Sequence, residues 1–132
     1  MTAVLDAVVA RLDAVVVGRE VYARAVPDGP IPAEYLLVRE SVSGEFSARS
    51  VGTVHAGEHL IRVLSVARGP RPDDAAHVAD VGAERARAAL RNYRPAGQWV
   101  LRYDLGSDPY RDEDLPDWSF IVASQYFVRS SL

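Results

Sequence analysis

Apolar residues recur at spacings of three and four over residues 2–17: Val4, Leu5, Val8, Val9, Leu12, Val15 and Val16. That period predicts an amphipathic helix with Asp6, Arg11 and Asp13 on its outer face. Thr2 is placed to cap its start and Gly18 to follow its end. Valine is a mediocre helix former, so burial has to supply much of this helix's stability. The period then changes. Residues 20–26 alternate and predict a short strand. Residues 27–32 hold three prolines and a glycine, a stiff turn that excludes helix. A second strand is predicted over 34–42 and a third over 59–68. In the third, Leu60, Leu64 and Val66 point one way and Ile61, Val63 and Ala67 the other, which predicts a central place in the sheet. The intervening residues 43–57 are small, polar and charged, with Phe46 the only large apolar residue before Val51. They read as a long surface loop.

Gly69-Pro70-Arg71-Pro72 ends the third strand. A second helix is expected over 74–92, capped by Asp73 or Asp74. Arg85, Arg87 and Arg91 lie toward its C-terminus, a charge order that suits the helix dipole. Its inner face is small: Ala75, Val78, Ala79, Gly82, Ala86, Ala89 and Leu90. Two further strands, over 99–105 and 118–128, flank an acidic, turn-rich stretch. The expected architecture is α+β, a mainly antiparallel sheet of about five strands with two helices packed on one face, in a single domain over 1–132.

Composition narrows the chemistry. The 132 residues include 15 basic and 18 acidic side chains, a formal net charge of -3, and no cysteine. A disulfide framework, a thiol nucleophile and a cysteine-ligated metal are thereby excluded. All the basic residues are arginine, which excludes a Schiff-base lysine and a P-loop lysine. A GC-rich coding bias accounts for arginine, alanine, valine, glycine and aspartate being abundant together. The acidic balance argues against nucleic-acid binding, and no apolar run approaches the ~20 residues that a membrane span needs. The chain reads as cytoplasmic when made, because Asp6 precedes any basic residue where a signal peptide would want the reverse.

Candidate sites are few. His55 and His59 are four apart, but in a loop running into a strand and not on a helix, so they read as partly exposed histidines at a strand mouth. His77 reads as a surface residue. Asp104, Asp108, Asp112, Glu113, Asp114 and Asp117 crowd the stretch over 104–117 without the calcium-loop spacing, and Pro109 and Pro116 stiffen it. No G-x-S-x-G and no G-x-G-x-x-G occurs. No catalytic, cofactor-binding or metal-binding residue is assigned, and enzymatic activity is not expected. The strand aromatics Tyr22, Tyr35, Tyr103, Trp118, Tyr126 and Phe127 are better suited to packing and interfaces than to base stacking on so acidic a chain.

The whole order resembles a known family. A leading amphipathic helix is followed by a short strand with Val21-Tyr22, a proline-rich turn and a Tyr35-Leu36-Leu37-Val38 strand. Then come a polar loop with His55-x-x-x-His59, an Ile61-Arg62-Val63 strand, an alanine-rich helix reaching Ala89-Leu90, an Asp-rich loop and an alternating aromatic strand. This is similar to the tail terminator (tail completion) proteins of long-tailed bacteriophages and prophages, over almost the full length. The resemblance implies a non-catalytic structural protein that caps the tail tube as a homo-hexameric ring. The ring ends tube polymerisation and offers a surface for head joining. Implied partners are other copies of the chain, the tail tube protein and a head connector or neck protein, with no membrane and no sequence-specific nucleic acid. The implied location is the neck end of the virion tail, reached through the host cytoplasm during assembly. Exposure and composition place the contacts on the two polar loops, at Phe46, Arg49, Tyr110, Arg111, Asp112 and Asp114. The alternatives are another phage neck or head-completion protein and a small α+β ligand-binding or regulatory domain that dimerises.

Overall fold

The computed structural model describes residues 2–41, 59–97, 99–113 and 118–128. Helix α1 spans Thr2–Val15, and strands β1, β2 and β3 span Glu20–Ala23, Glu34–Ser41 and His59–Gly69. Helix α2 spans Pro72–Leu90, and a 3-10 turn follows over Pro95–Gly97. Strands β4, β5 and β6 span Arg102–Gly106, Tyr110–Arg111 and Trp118–Val128. The sheet runs β1-β2-β3-β6-β4, with β5 also paired to β6. The α+β class stands, with six strands among the described residues where about five were expected.

The pairing is mixed. β2 with β3, β3 with β6, and β4 and β5 with β6 are antiparallel, but β1 lies parallel to β2, with Val21 opposite Leu36. The sequence leads one to expect a turn that would reverse the chain after β1. Instead β1 stops at Ala23, Arg24 takes a left-handed φ of 69°, and residues 24–33 carry the chain back to the starting end of β2. A parallel neighbour needs such a return connection and a hairpin does not. β3 is central, as its two apolar faces require: it is paired along its length on both sides.

Alternation sorts the sheet into two faces. One face carries Leu36, Val38, Ile61, Val63, Tyr126 and Val128, and these join Val4, Leu5, Val8 and Leu12 of α1 and Ala86, Ala89 and Leu90 of α2 in one buried cluster. Both helices therefore pack on the same face. A smaller cluster of Ala67, Ala79, Ala83 and Val122 continues it toward the start of α2.

Several boundaries move for local reasons. α2 begins at Pro72, and its N-cap is Arg71, held extended at φ -121° and ψ 127° as the residue before a proline must be. Asp73 and Asp74 thus fall in the first turn, where they favour the dipole without capping it. Ala83 is buried on the inner face where Val78 is only half-buried. Strand β4 starts at Arg102 and not at 99, because the 3-10 turn and the bond from the Leu101 amide to the Tyr93 carbonyl (2.8 Å) hold the preceding residues off the sheet.

Candidate interaction surfaces

The outer edge of the sheet carries an open cleft of about 520 Å³ where the end of α2 meets β4. Arg87 comes from the last turn of α2, Arg91 is the residue that caps its end, Arg102 comes from β4, and Tyr103 and Tyr126 form its wall and floor. The sequence places these groups by simple periods. Arg87 in the last turn of α2 and Arg91 at its C-cap are four apart in the chain, and Tyr103 lies directly opposite Tyr126 across the β4–β6 ladder. The Arg87 guanidinium sits 3.7 Å over the Tyr103 ring, and Tyr103 meets Tyr126 edge to face at 5.5 Å. A Cβ at Gly106 would meet the Tyr103 hydroxyl, the tip of an exposed side chain. All three arginines are exposed, and none meets a carboxylate among the described residues.

The cleft floor holds a buried polar group. Tyr126 is 2% exposed and its hydroxyl has no hydrogen-bond partner among the described residues. Burial pushes that hydroxyl well above its ordinary value of 10.0, the nearby Tyr103 adds to the rise, and Arg87 opposes it. The sign of the stability effect follows. Above pH ~10 the unfolded chain loses this proton while the folded chain keeps it, so stability falls as pH rises through that range. Tyr126→Phe removes both this loss and the orphaned hydroxyl. We expect the variant to match or exceed the parent by about 1 kcal/mol at pH 8, with a margin that widens above pH 10 in thermal melts. A margin that stays constant with pH would mean the hydroxyl titrates normally.

Beside the cleft the same edge exposes Trp99, Val100 and Leu105 at 57%, 38% and 55%. Trp99, Val100, Arg102 and Phe127 line a second hollow of about 410 Å³. Tryptophan, tyrosine and arginine around exposed aliphatic groups is the composition of a protein–protein contact. Sequence reasoning placed contacts on polar loops and missed this edge, although Trp99 just before a strand and Arg87, Arg91 and Arg102 were readable as its signals.

Of the sequence-predicted contact residues, Tyr110 and Arg111 form β5, where the composition predicts loop. Tyr110 is opposite Ile121 and Arg111 opposite Phe120, and the Asp112 amide donates to the Ser119 carbonyl at 2.7 Å. The Arg111 guanidinium lies 4.2 Å over the Trp118 ring. Burial, and after it the Asp112 carboxylate, raise the Tyr35 hydroxyl above its ordinary value. Phe46, Arg49 and Asp114 lie outside the described residues, as does His55. Tyr110, Arg111 and Asp112 sit at the opposite end of β6 from the arginine cleft.

Two buried polar sites belong to the interior. His59 is not partly exposed as its position suggested. It is 8% exposed, and its Nδ1 lies 2.7 Å from the Glu40 carboxylate across β2 and β3. Arg19, also 8% exposed, reaches under α2 and donates from Nη2 to the Val78 carbonyl at 2.8 Å. Burial pulls its pKa below the usual value, with Glu34 opposing and Arg85 adding. Its Nε and Nη1 lack partners among the described residues. Alongside it, Ser65 donates to the Ala79 carbonyl at 2.7 Å. Among the described residues no group of three or more metal-ligating side chains converges, and no helix is long and apolar enough to cross a membrane.

No protein-family profile matches the chain, and no curated protein sequence does. Solved structures do. A chain from the virion of a native gene transfer agent particle superposes with a TM-score of 0.72 at 21% identity, over 98% of this chain and 95% of that one. A second solved chain superposes with a TM-score of 0.52 at 17% identity, over 99% and 94%. From α1 to β6 the fold is similar to that of the chain in the gene transfer agent particle.

Proposed function

We propose that this protein is a structural component of a phage-type virion, a tail terminator that caps the tail tube as a ring and presents a surface for head joining. The observation that carries the reading is the superposition on a gene transfer agent virion chain over nearly the full length of both. The element order that resembles tail terminators supports it from the sequence side. On this reading the chain is not an enzyme. Its partners are other copies of itself, the tube protein and a neck protein, and its place is the neck end of the tail. Capping follows from asymmetry: the ring binds the last tube ring on one side and offers no surface there for another. Closure requires two different contact surfaces per subunit, related by a rotation. The exposed edge around Trp99 and the far end around Tyr110 supply two such surfaces.

Light scattering across a concentration series tests the reading. We expect a hexamer, or a hexamer fraction that grows with concentration or on adding the tube protein. A dimer that persists under all these conditions would overturn the ring and favour a dimerising binding domain.

A further inference from the structure

We propose that the arginine cleft is the acceptor of the subunit contact, and that its occupant is the acidic β4–β5 stretch of a second copy of this chain. The inference rests on the ring reading for the identity of that occupant. Three observations carry it. First, Arg87, Arg91 and Arg102 converge on one open cleft without a carboxylate partner among the described residues. Guanidinium groups bind carboxylates through paired hydrogen bonds, and a desolvated site strengthens them. Second, Tyr126 lines the cleft floor, its hydroxyl buried and without a partner among the described residues. The hydroxyl is closed to water, and a dry floor strengthens the ion pairs formed above it. Third, the complementary charge lies on the same chain. Asp108 and Glu113 are exposed between the end of β4 and the turn after β5.

The positions of the two patches set the kind of contact. The chain from Arg102 to Arg111 runs beside β6 from Phe127 down to Phe120. At about 3.3 Å per strand residue the cleft and the acidic end stand roughly 20 Å apart along one edge. They are too far apart to meet within one chain. Docking the acidic end of one copy into the cleft of the next joins the copies head to tail along that edge, the arrangement a closed ring requires. The exposed Trp99 and Leu105 flank the contact and supply apolar area around the ion pairs.

A fluorescein-labelled peptide with the sequence of residues 104–113, titrated into the full chain at concentrations where it is monomeric and read by anisotropy, tests the docking without competition from other copies. We expect saturable binding that weakens with added salt. Arg91→Glu with Arg102→Glu is expected to weaken it roughly tenfold or more. The peptide with its acids replaced by Asn and Gln should fail to bind. Should the double reversal not fold, Arg91→Gln provides the same comparison. No saturable binding to the parent chain, or binding indifferent to the arginines, overturns the proposal. Equal competition by a single-stranded oligonucleotide of matched charge overturns the assignment to a second copy. The assembly itself is tested by mixing. The Arg91→Glu, Arg102→Glu chain and an Asp108→Arg, Glu113→Arg chain should each fail to assemble alone and assemble when combined. Peptide binding together with a mixture that stops at the dimer keeps the docking and removes the ring.

Discussion

Replacing Gly82 by alanine is expected to destabilise the fold by about 3 kcal/mol and lower its melting temperature by about 10 °C. The result is opposite in sign to helix propensity, which favours alanine over a mid-helix glycine by roughly 0.5–1 kcal/mol. Packing decides. Gly82 faces β3 from the inner side of α2, and a Cβ there meets the Ser65 Oγ and stands 2.6 Å from the Arg19 Nη1. Neither group can move freely. Ser65 is fully buried and holds the Ala79 carbonyl, and Arg19 holds the Val78 carbonyl. Displacing them breaks buried hydrogen bonds, each worth about 1–3 kcal/mol once a partner is stranded. Thermal unfolding followed by circular dichroism measures the effect. Ser65→Ala should recover part of the loss in the double variant, because it removes the nearest clashing atom. A melting temperature that stays or rises in Gly82→Ala would show that α2 has room above β3.

Leu12→Ala is expected to destabilise by roughly 3 kcal/mol, within the 2–5 kcal/mol that such truncations cost in a closed core. Leu12 is fully buried and packs with Val8 and Val16 into the principal cluster. The loss should not spread evenly. α1 is rich in valine, so its stability derives from the sheet and from α2. Two polar ties also hold it: Arg11 donates to the Ala89 carbonyl at 3.0 Å, and the Tyr93 hydroxyl donates to the Ala7 carbonyl at 3.1 Å. Amide hydrogen exchange should therefore show α1 losing protection before β3 and β6. The exposed neighbour substitution Asp13→Ala should change stability by less than about 0.5 kcal/mol. Uniform loss of protection across α1 and β3 would mean that the helix and sheet open as one unit.

Much of the architecture is legible in the residue pattern because one local rule governs it. Spacings of three and four marked α1 and the inner face of α2. Two-sided apolar alternation marked β3 as central, and the strand over 118–128 was placed at its true bounds. These features depend on periods that chain geometry imposes, so a single sequence carries them.

Other features depended on which strand lies beside which. The pattern 20–23 is the same for a parallel and an antiparallel strand, and only the return of residues 24–33 decided that β1 runs with β2. β5 was hidden because Tyr110 and Arg111 are too short a run to show a period, and pairing with β6 makes them a strand. The site was hidden for the same reason. Arg87, Arg91, Arg102 and Tyr126 are dispersed along the chain, and only the packing of α2 against the β4–β6 edge gathers them. His59 looked exposed until β2 placed Glu40 beside it. What the sequence determined alone was the set of elements and the inner face of each, because side-chain period is local. What only the tertiary structure decided was strand direction, the burial of His59 and Arg19, and the arginine cleft, because each depends on contacts between residues distant in the chain.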